Sequence, residues 1–308
     1  MKAVITGGAG FIGSNLARFL LEKGYEITVI DNLSTGNKDN LPSGIEFLKY
    51  DITNDRIIDI LANKKADFVF HLAAQIDVRK SLEDPIFDLK VNSIGTLNIL
   101  NGMKKAGKGK IVFTSTGGAM YGECEEPANE EKRESPESPY GISKLSSENY
   151  IKVYSKWFDI PFVIMRLSNV YGPFQSTKGE AGVVAIFINQ ILNKQKSKIY
   201  GFGEMERDYI YVEDVAEAAF HLSLKANNEI INVSTGKKTS NLELYKTLCD
   251  KIGSGYDYDL EEARKGEIMK SVMDNSKLLS KIYNFKLTDI NDGLQKTVEW
   301  YENREEKQ

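Results

Sequence analysis

Short runs of branched apolar residues alternate along this chain with longer stretches in which apolar residues return every three or four positions. Lys2–Thr6 is mostly β-branched, and a glycine-rich turn follows it. Ile12, Leu16, Phe19 and Leu20 then mark one face of an amphipathic helix. Further strands are predicted at 26–30, 68–72, 110–115 and 162–167, with helical stretches around 54–63, 84–106 and 140–158. Strands that alternate with helices make βαβ units, and their sum is an α/β fold of Rossmann type, a doubly wound parallel sheet with helices on both faces. After about residue 170 the alternation weakens. The expected division is a dinucleotide-binding unit over 1–170 with a return segment near 208–233, and a smaller α/β substrate-binding lobe from 171–207 and 234–308. Residues 124–139 are polar, acidic and carry three prolines, which predicts a surface loop leading into a helix.

Composition narrows the possible partners. The formal net charge of −4 offers no general attraction to nucleic acid or to an anionic membrane. No apolar run approaches the roughly 18 residues of a membrane span, and the N-terminus runs straight into a strand pattern instead of a signal peptide. Two cysteines, Cys124 and Cys249, are too few for a disulfide framework and fit a reduced, cytoplasmic compartment. The two histidines have no metal spacing, so no metal is expected. His71 lies in an apolar strand and His221 on an apolar helical pattern; both read as structural.

Residues 6–13 are TGGAGFIG. Gly8, Gly10 and Gly13 fit the general dinucleotide fingerprint, and Gly7, Gly10 and Gly13 fit a wider spacing. Either way, the first glycine makes a tight turn, Gly10 admits a pyrophosphate and Gly13 lets the helix pack on the strand. The helix N-terminus then offers N–H groups to phosphate. The second strand ends at Asp31, whose carboxylate can accept from both hydroxyls of an adenosine ribose and would repel a 2′-phosphate. No arginine stands beside it, so NAD is expected in preference to NADP.

Tyr140 and Lys144 are four residues apart at the start of a predicted helix, which places them on one face. A tyrosine, with an ordinary pKa of about 10, needs help to act as a base near neutrality. A neighbouring ammonium and a positive nicotinamide ring would favour its phenolate.

Taken in order, TGGAGFIG at 6–13, DNLSTG at 31–36, DI at 51–52, HLAAQ at 71–75, VN at 91–92, FTSTGGAMYG at 113–122, YGISK at 140–144, RLSNVYGP at 166–173, RDYIYVEDVA at 207–216 and ARKGE at 263–267 resemble the extended short-chain dehydrogenase/reductase family. Within it, the chain looks like the NAD-dependent epimerase/dehydratase group, nearest to the UDP-glucose 4-epimerases with Thr-Gly-Gly-Ala before the Tyr-Gly. The resemblance implies NAD as cofactor, held by Gly7, Gly10, Phe11, Ile12, Gly13, Asp31, Asn32, Ser34, Gly36, Leu72, Ala73, Ala74 and Gln75, with Asp51 and Ile52 at the adenine. Asn92 would support the helix beside the site and Ser115 would lie near the nicotinamide. Thr116, Tyr140 and Lys144 would be catalytic, with Thr116 sharing the reacting oxygen of the sugar. Asn169, Val183, Tyr200, Arg207 and Arg264 would bind the UDP-sugar, although ARKGE replaces the usual Arg-Pro-Gly-Asp around Arg264. The resemblance also implies a homodimer paired through the helices near 84–106 and 140–158, which carry Ile94, Leu97, Leu100, Tyr150, Val153 and Tyr154 beyond the needs of one core face.

The fold does not choose the reaction. A 4,6-dehydratase must eliminate water and needs a second acid–base pair; its relatives carry Asp-Glu after the position of Thr116. Here Gly117 and Gly118 follow. The expectation is 4-epimerisation, interconverting UDP-glucose and UDP-galactose by transient oxidation at carbon 4. Epimerisation of UDP-N-acetylglucosamine or UDP-glucuronate, net dehydrogenation of a sugar nucleotide, and a non-enzymatic NAD sensor are the alternatives.

Overall fold

In the computed structural model, which describes residues 1–177, 182–264 and 266–305, seven parallel strands form the central sheet. They are β1 (Lys2–Thr6), β2 (Glu26–Asp31), β3 (Glu46–Lys49), β4 (Phe68–His71), β5 (Lys110–Thr116), β6 (Phe162–Leu167) and β7 (Glu229–Val233), in the order β7-β6-β5-β4-β1-β2-β3. β3 escaped the sequence reading because only Phe47 and Leu48 give it an apolar signal, and both stay partly exposed. Each strand feeds both faces of the sheet. Phe68 and Phe70 of β4 point into one core and Val69 into the other; Val112 of β5 joins the first, Ile111 and Phe113 the second. A period of two with apolar residues on both sides is what a sheet covered on both faces requires.

Helices α1 (Phe11–Glu22) and α5 (Val212–Lys225) cover the first face through Leu16, Leu20, Val215 and Leu222. Helices α2 (Ile57–Lys64), α3 (Gly95–Ala106) and α4 (Pro139–Phe158) cover the second through Leu61, Ile99, Leu100, Met103 and Ile151. The stretch expected as one helix at 84–106 is broken into a short helix, Pro85–Leu89, a π turn, Lys90–Ile94, and α3. Leu100, expected on the outer face, is fully buried in the core. A separate apolar cluster gathers later residues, among them Tyr171, Phe187, Ile188, Tyr209, Leu244 and Leu294.

The strand order reverses between β1 and β4, so the chain leaves their carboxyl ends in opposite directions and opens a crevice there. The acidic stretch 124–139 is a surface loop leading into α4, as expected, but it is tied down at two points. Cys124 N donates to Lys270 O and Ala128 N to Val272 O, and both residues are buried. Beneath it, Arg166 is wholly enclosed. Its guanidinium holds Glu148 through two bonds of 3.1 and 2.7 Å, Glu134 at 2.6 Å and the Tyr121 hydroxyl at 2.9 Å. A buried carboxylate that loses its partner keeps the full cost of its desolvation. Arg166→Ala should therefore lower folding stability by about 3–5 kcal/mol, read from the urea-unfolding midpoint, whereas Glu134→Ala, at the exposed end of the network, should change it far less.

Candidate active site

The crevice is a cleft of about 340 Å³ whose wall runs from the β1–α1 turn to the start of α4. The turn decides between the two glycine spacings. Gly7 has φ +70°, and a Cβ on it would lie 2.6 Å from Ala73 N; a Cβ on Gly13 would collide with Gly7 O. Gly8 instead faces Val29 in the core. The working set is Gly7, Gly10 and Gly13. α1 starts after Gly10 with no side-chain cap and no acidic residue in its first turn, which leaves its positive end for a phosphate.

Asp31 is buried at the end of β2. Its Oδ2 accepts from Ala9 N at 3.0 Å and its Oδ1 from Leu33 N at 2.8 Å. Burial raises its pKa above the ordinary carboxylate range, and those two N–H groups oppose the rise. Asn32 donates to Asp51 at 2.9 Å. Burial works against ionisation of Asp51 as well, but the bonds from Asn32 and Thr53 and the charge of Lys90 hold it below its usual range. The remaining cleft wall includes Phe11, Ile12, Ser34, Ile52, Leu72, Ala73, Ala74, Ser115, Thr116, Tyr140 and Lys144. Among the described residues, Ser115 Oγ and Ser168 Oγ on this wall are buried without a partner, and so offer hydrogen bonds to a polar ligand. A capless helix end, a ribose-sized carboxylate and two orphan hydroxyls fit a dinucleotide.

Gly36, Gln75 and Asn92 do not line this cleft. Gly36 packs against Ala9. Gln75 and Asn92 hold each other: Gln75 N donates to Asn92 Oδ1 and Asn92 Nδ2 to Gln75 O, both at 2.9 Å. Asn92 also reaches Ser143 Oγ, so it braces α4 as expected. The residues expected to bind the UDP-sugar do not line this cleft. The Arg264 guanidinium lies 3.9 Å from the centre of the Tyr200 ring. Lys265 of the same motif lies outside the described residues. Arg207 is no ordinary surface charge, since its terminal nitrogens donate to the carbonyls of Glu206, Ile268 and Met269. Asn169 is exposed at the start of a short strand, Asn169–Tyr171, and Val183 opens the helix Val183–Leu192. The sequence reading missed Thr35, Tyr50, Ser168, Val170 and Gln175 on the cleft wall. Ser168 and Val170 stand inside RLSNVYGP, but motif spacing does not tell which members face inward.

Tyr140 and Thr116 are neighbours at the reacting end of the cleft wall. Burial pushes the Tyr140 hydroxyl well above its ordinary range, Asp88 adds to that, and Thr116 opposes it. Lys144 is almost fully buried, donates to Thr114 O at 2.6 Å and sits 4.0 Å from the centre of the Phe113 ring. Burial pushes it down to about 7, against the charges of Glu148 and Asp88. The expected electrostatic help from lysine to tyrosine is thus weakened by the lysine's own desolvation. His71 is a satisfied core histidine, between Thr6 Oγ1 at 2.7 Å and Thr96 Oγ1 at 2.9 Å. Thr96 gives its proton to Asn92 O, so His71 Nε2 is the donor and Nδ1 the acceptor. Burial and the Lys144 charge push it down to about 3, which keeps it neutral.

Comparison with known proteins gives a family and full-length relatives. The model described as "NAD dependent epimerase/dehydratase family" matches residues 3–234. A putative UDP-glucose 4-epimerase of Methanocaldococcus jannaschii is 42% identical over 301 residues, 97% of this chain and 98% of that one. A crystal structure of the Thermotoga maritima UDP-glucose 4-epimerase with UDP-glucose superposes with a TM-score of 0.95 at 39% identity, covering 99% of both chains. A Thermus thermophilus UDP-glucose 4-epimerase in complex with NAD gives 0.93 at 37% identity, covering 98% of this chain and 99% of that one.

The depressed Lys144 has a consequence for stability. Between about 7 and the ordinary 10.5, the unfolded chain holds a proton that the folded chain has released. Stability contributed by this group therefore rises with pH across that window. Without added NAD, Lys144→Met should gain most over the parent at and below pH 7, and the gap should close towards pH 10.5. Urea midpoints of the two proteins across that range measure it; a constant gap would contradict the burial argument.

Proposed function

The chain belongs to the NAD-dependent epimerase/dehydratase family, and from that premise we propose that it is a UDP-sugar 4-epimerase that interconverts UDP-glucose and UDP-galactose. The carrying observation lies beside Thr116. A Cβ on Gly117 would collide with Met273 Sδ, so a side chain there would have to displace that buried methionine, and Gly118 has no side chain to offer. Elimination of water would need a proton donor at that place. Epimerisation does not, because the proton taken from the sugar oxygen returns to the same oxygen, and one acid–base group serves both directions.

Bound NAD supplies a hydride acceptor at carbon 4 that can give the hydride back to either face. Tyr140, as phenolate, takes the proton of the sugar hydroxyl and later returns it. Thr116, beside Tyr140 on the cleft wall, holds the same sugar oxygen in line. Lys144 contributes positive charge and a ribose contact, and its bond to Thr114 O fixes it to β5. Asp31 accepts from the adenosine ribose and disfavours a 2′-phosphate. Asn169, Val183, Tyr200, Arg207 and Arg264 are assigned to the UDP-sugar; Arg264, exposed above the Tyr200 ring, has its fork of donors available for a diphosphate. The buried free thiols of Cys124 and Cys249 suit the proposed cytoplasmic location.

We also propose a homodimer. Ile86, Leu89, Ile94, Tyr150, Val153 and Trp157 are exposed on the segment before α3 and on α4, with Ile86 77% and Trp157 72% open. Tyr150, Val153 and Trp157 recur at helical spacing on one face. An apolar surface of this kind marks an interaction site. Light scattering at micromolar concentration should return twice the 34.6 kDa chain mass, and a monomer would count against the pairing.

The enzymatic proposal is tested at Tyr140. Tyr140→Phe should retain NAD binding and lose turnover of UDP-glucose by roughly 10²–10⁴-fold. Thr116→Val should lose less, since the tyrosine still reaches the oxygen, and Lys144→Ala should also weaken NAD binding. A parent protein that converts no UDP-sugar would sink the substrate assignment; near-parent turnover by Tyr140→Phe would sink the mechanism.

A further inference from the structure

Asp88 has no part in the reaction above, yet it is completely buried, on the short helix Pro85–Leu89 that packs against α4. Its Oδ1 accepts from Gln75 Nε2 at 2.8 Å and from Asn92 Nδ2 at 3.1 Å. Its Oδ2 is enclosed without a partner among the described residues. Asn92 carries the link onward to Ser143 Oγ at 3.0 Å, on the turn of α4 that holds Tyr140 and Lys144. Asn92 itself lies in the π turn Lys90–Ile94, an uncommon winding that recurs at functional sites.

A buried carboxylate with one unmatched oxygen destabilises the fold unless another charge offsets it. Gln75 and Asn92 are neutral, so their bonds do not cancel the charge. The titratable groups that face it from the packed elements are few. Tyr140 and Lys144 on α4 both feel it. Glu148, one turn further along α4, is already matched by Arg166. His71 at the end of β4 is neutral. Lys90, on the π turn, acts on Asp51, and Arg79 and Lys80, on the packed helix Val78–Glu83, are exposed, with Lys80 over the Phe87 ring. Lys144 is thus the cation on which Asp88 acts.

We propose that Asp88 is a positioning residue acting through charge, the fixed counter-charge of the Tyr140–Lys144 pair. It keeps Lys144 cationic where burial favours the neutral amine, and it makes the Tyr140 phenolate a stronger proton acceptor. A relay role is not needed: epimerisation returns the proton to the oxygen it came from, so no route to solvent is required. The inference rests on the assignment of Tyr140 and Lys144 as the reacting pair.

The test uses the NAD-loaded protein. The tyrosinate absorbance of Tyr140 is isolated by subtracting the Tyr140→Phe variant, and its titration is compared between the parent and Asp88→Asn. Asparagine keeps an oxygen for Gln75 and Asn92 but loses the charge. The midpoint should fall by roughly one pH unit, the order expected on losing a neighbouring charge. Both limbs of the pH dependence of UDP-glucose epimerisation, which belong to the coupled pair, should move down together. A purely structural role would lower activity at every pH and leave midpoint and limbs in place; that result, or an upward shift, overturns the proposal. If Asp88→Asn does not fold, Asp88→Ser is measured in its place with the same two outcomes. The tyrosinate shift does not depend on turnover. A parent that shows it but converts no UDP-sugar loses the functional reading and keeps this one.

Discussion

The constraint from which the site follows is a lysine ammonium taken out of water. Lys144 is almost fully enclosed, between the Phe113 ring, the Thr114 carbonyl and the rest of α4. In an enclosed site each charge is felt more strongly by its neighbours. His71 stays neutral because it shares the core with Lys144 and has two threonines to satisfy it. Glu148 is held by Arg166, so its charge reaches Lys144 from a fixed distance. The enclosed polar groups along α4, including Ser143 and Ser147, bond to one another and to the π turn, and none of these links depends on solvent.

The sheet makes such an enclosure possible. Its strands are largely apolar on both faces, and the ligand-facing polar groups gather at the strand ends. At the switch between β1 and β4 those ends diverge, and the cleft opens where the backbone of Gly7 nearly touches that of Ala73. The close approach has two effects. It packs α1 tightly enough to aim its N-terminus into the cleft, and it brings the loop after β4 to the same wall. Removal of a few side-chain atoms at Gly7 and Gly13 therefore shapes the cofactor end, while burial of one ammonium shapes the reacting end.

Much of this was legible in the sequence, for physical reasons that also mark the limits. β1, β5 and β6 are dense in branched apolar residues, and α4 announces itself through the spacing of Tyr140 and Lys144 and the apolar run behind them. β3 was not legible, because an edge strand at partial exposure needs little apolar character. The break in the 84–106 helix was hidden as well: a π turn shifts the phase of the apolar stripe by about one residue, and no proline or glycine pair marks it. At the site, residues that bind through a turn or through the end of a strand, such as Gly7, Asp31 and Thr116, could be found from order along the chain. Gln175 could not, since it reaches the cleft by way of the loop after the strand Asn169–Tyr171. The partners of Arg207 could not either, because Ile268 and Met269 lie about sixty residues away in sequence.

The pair Gly117–Gly118 joins the two arguments. From sequence it was a missing acid; in the fold it is occupied space. Met273 fills the volume that a side chain at 117 would take, and it does so as part of a small buried cluster with Tyr121, Cys124 and Ala128. Two of those residues belong to the segment 124–139, which is laced to 270–274 through Cys124 and Ala128. An acid at 117 would therefore have to displace a packed methionine and loosen the segment that covers the Arg166–Glu148 pair. That pair anchors the helix bearing Tyr140 and Lys144. The absence of a second proton donor is thus built into the packing that supports the first, and the chemistry of returning a proton to its own oxygen is the one this packing leaves open.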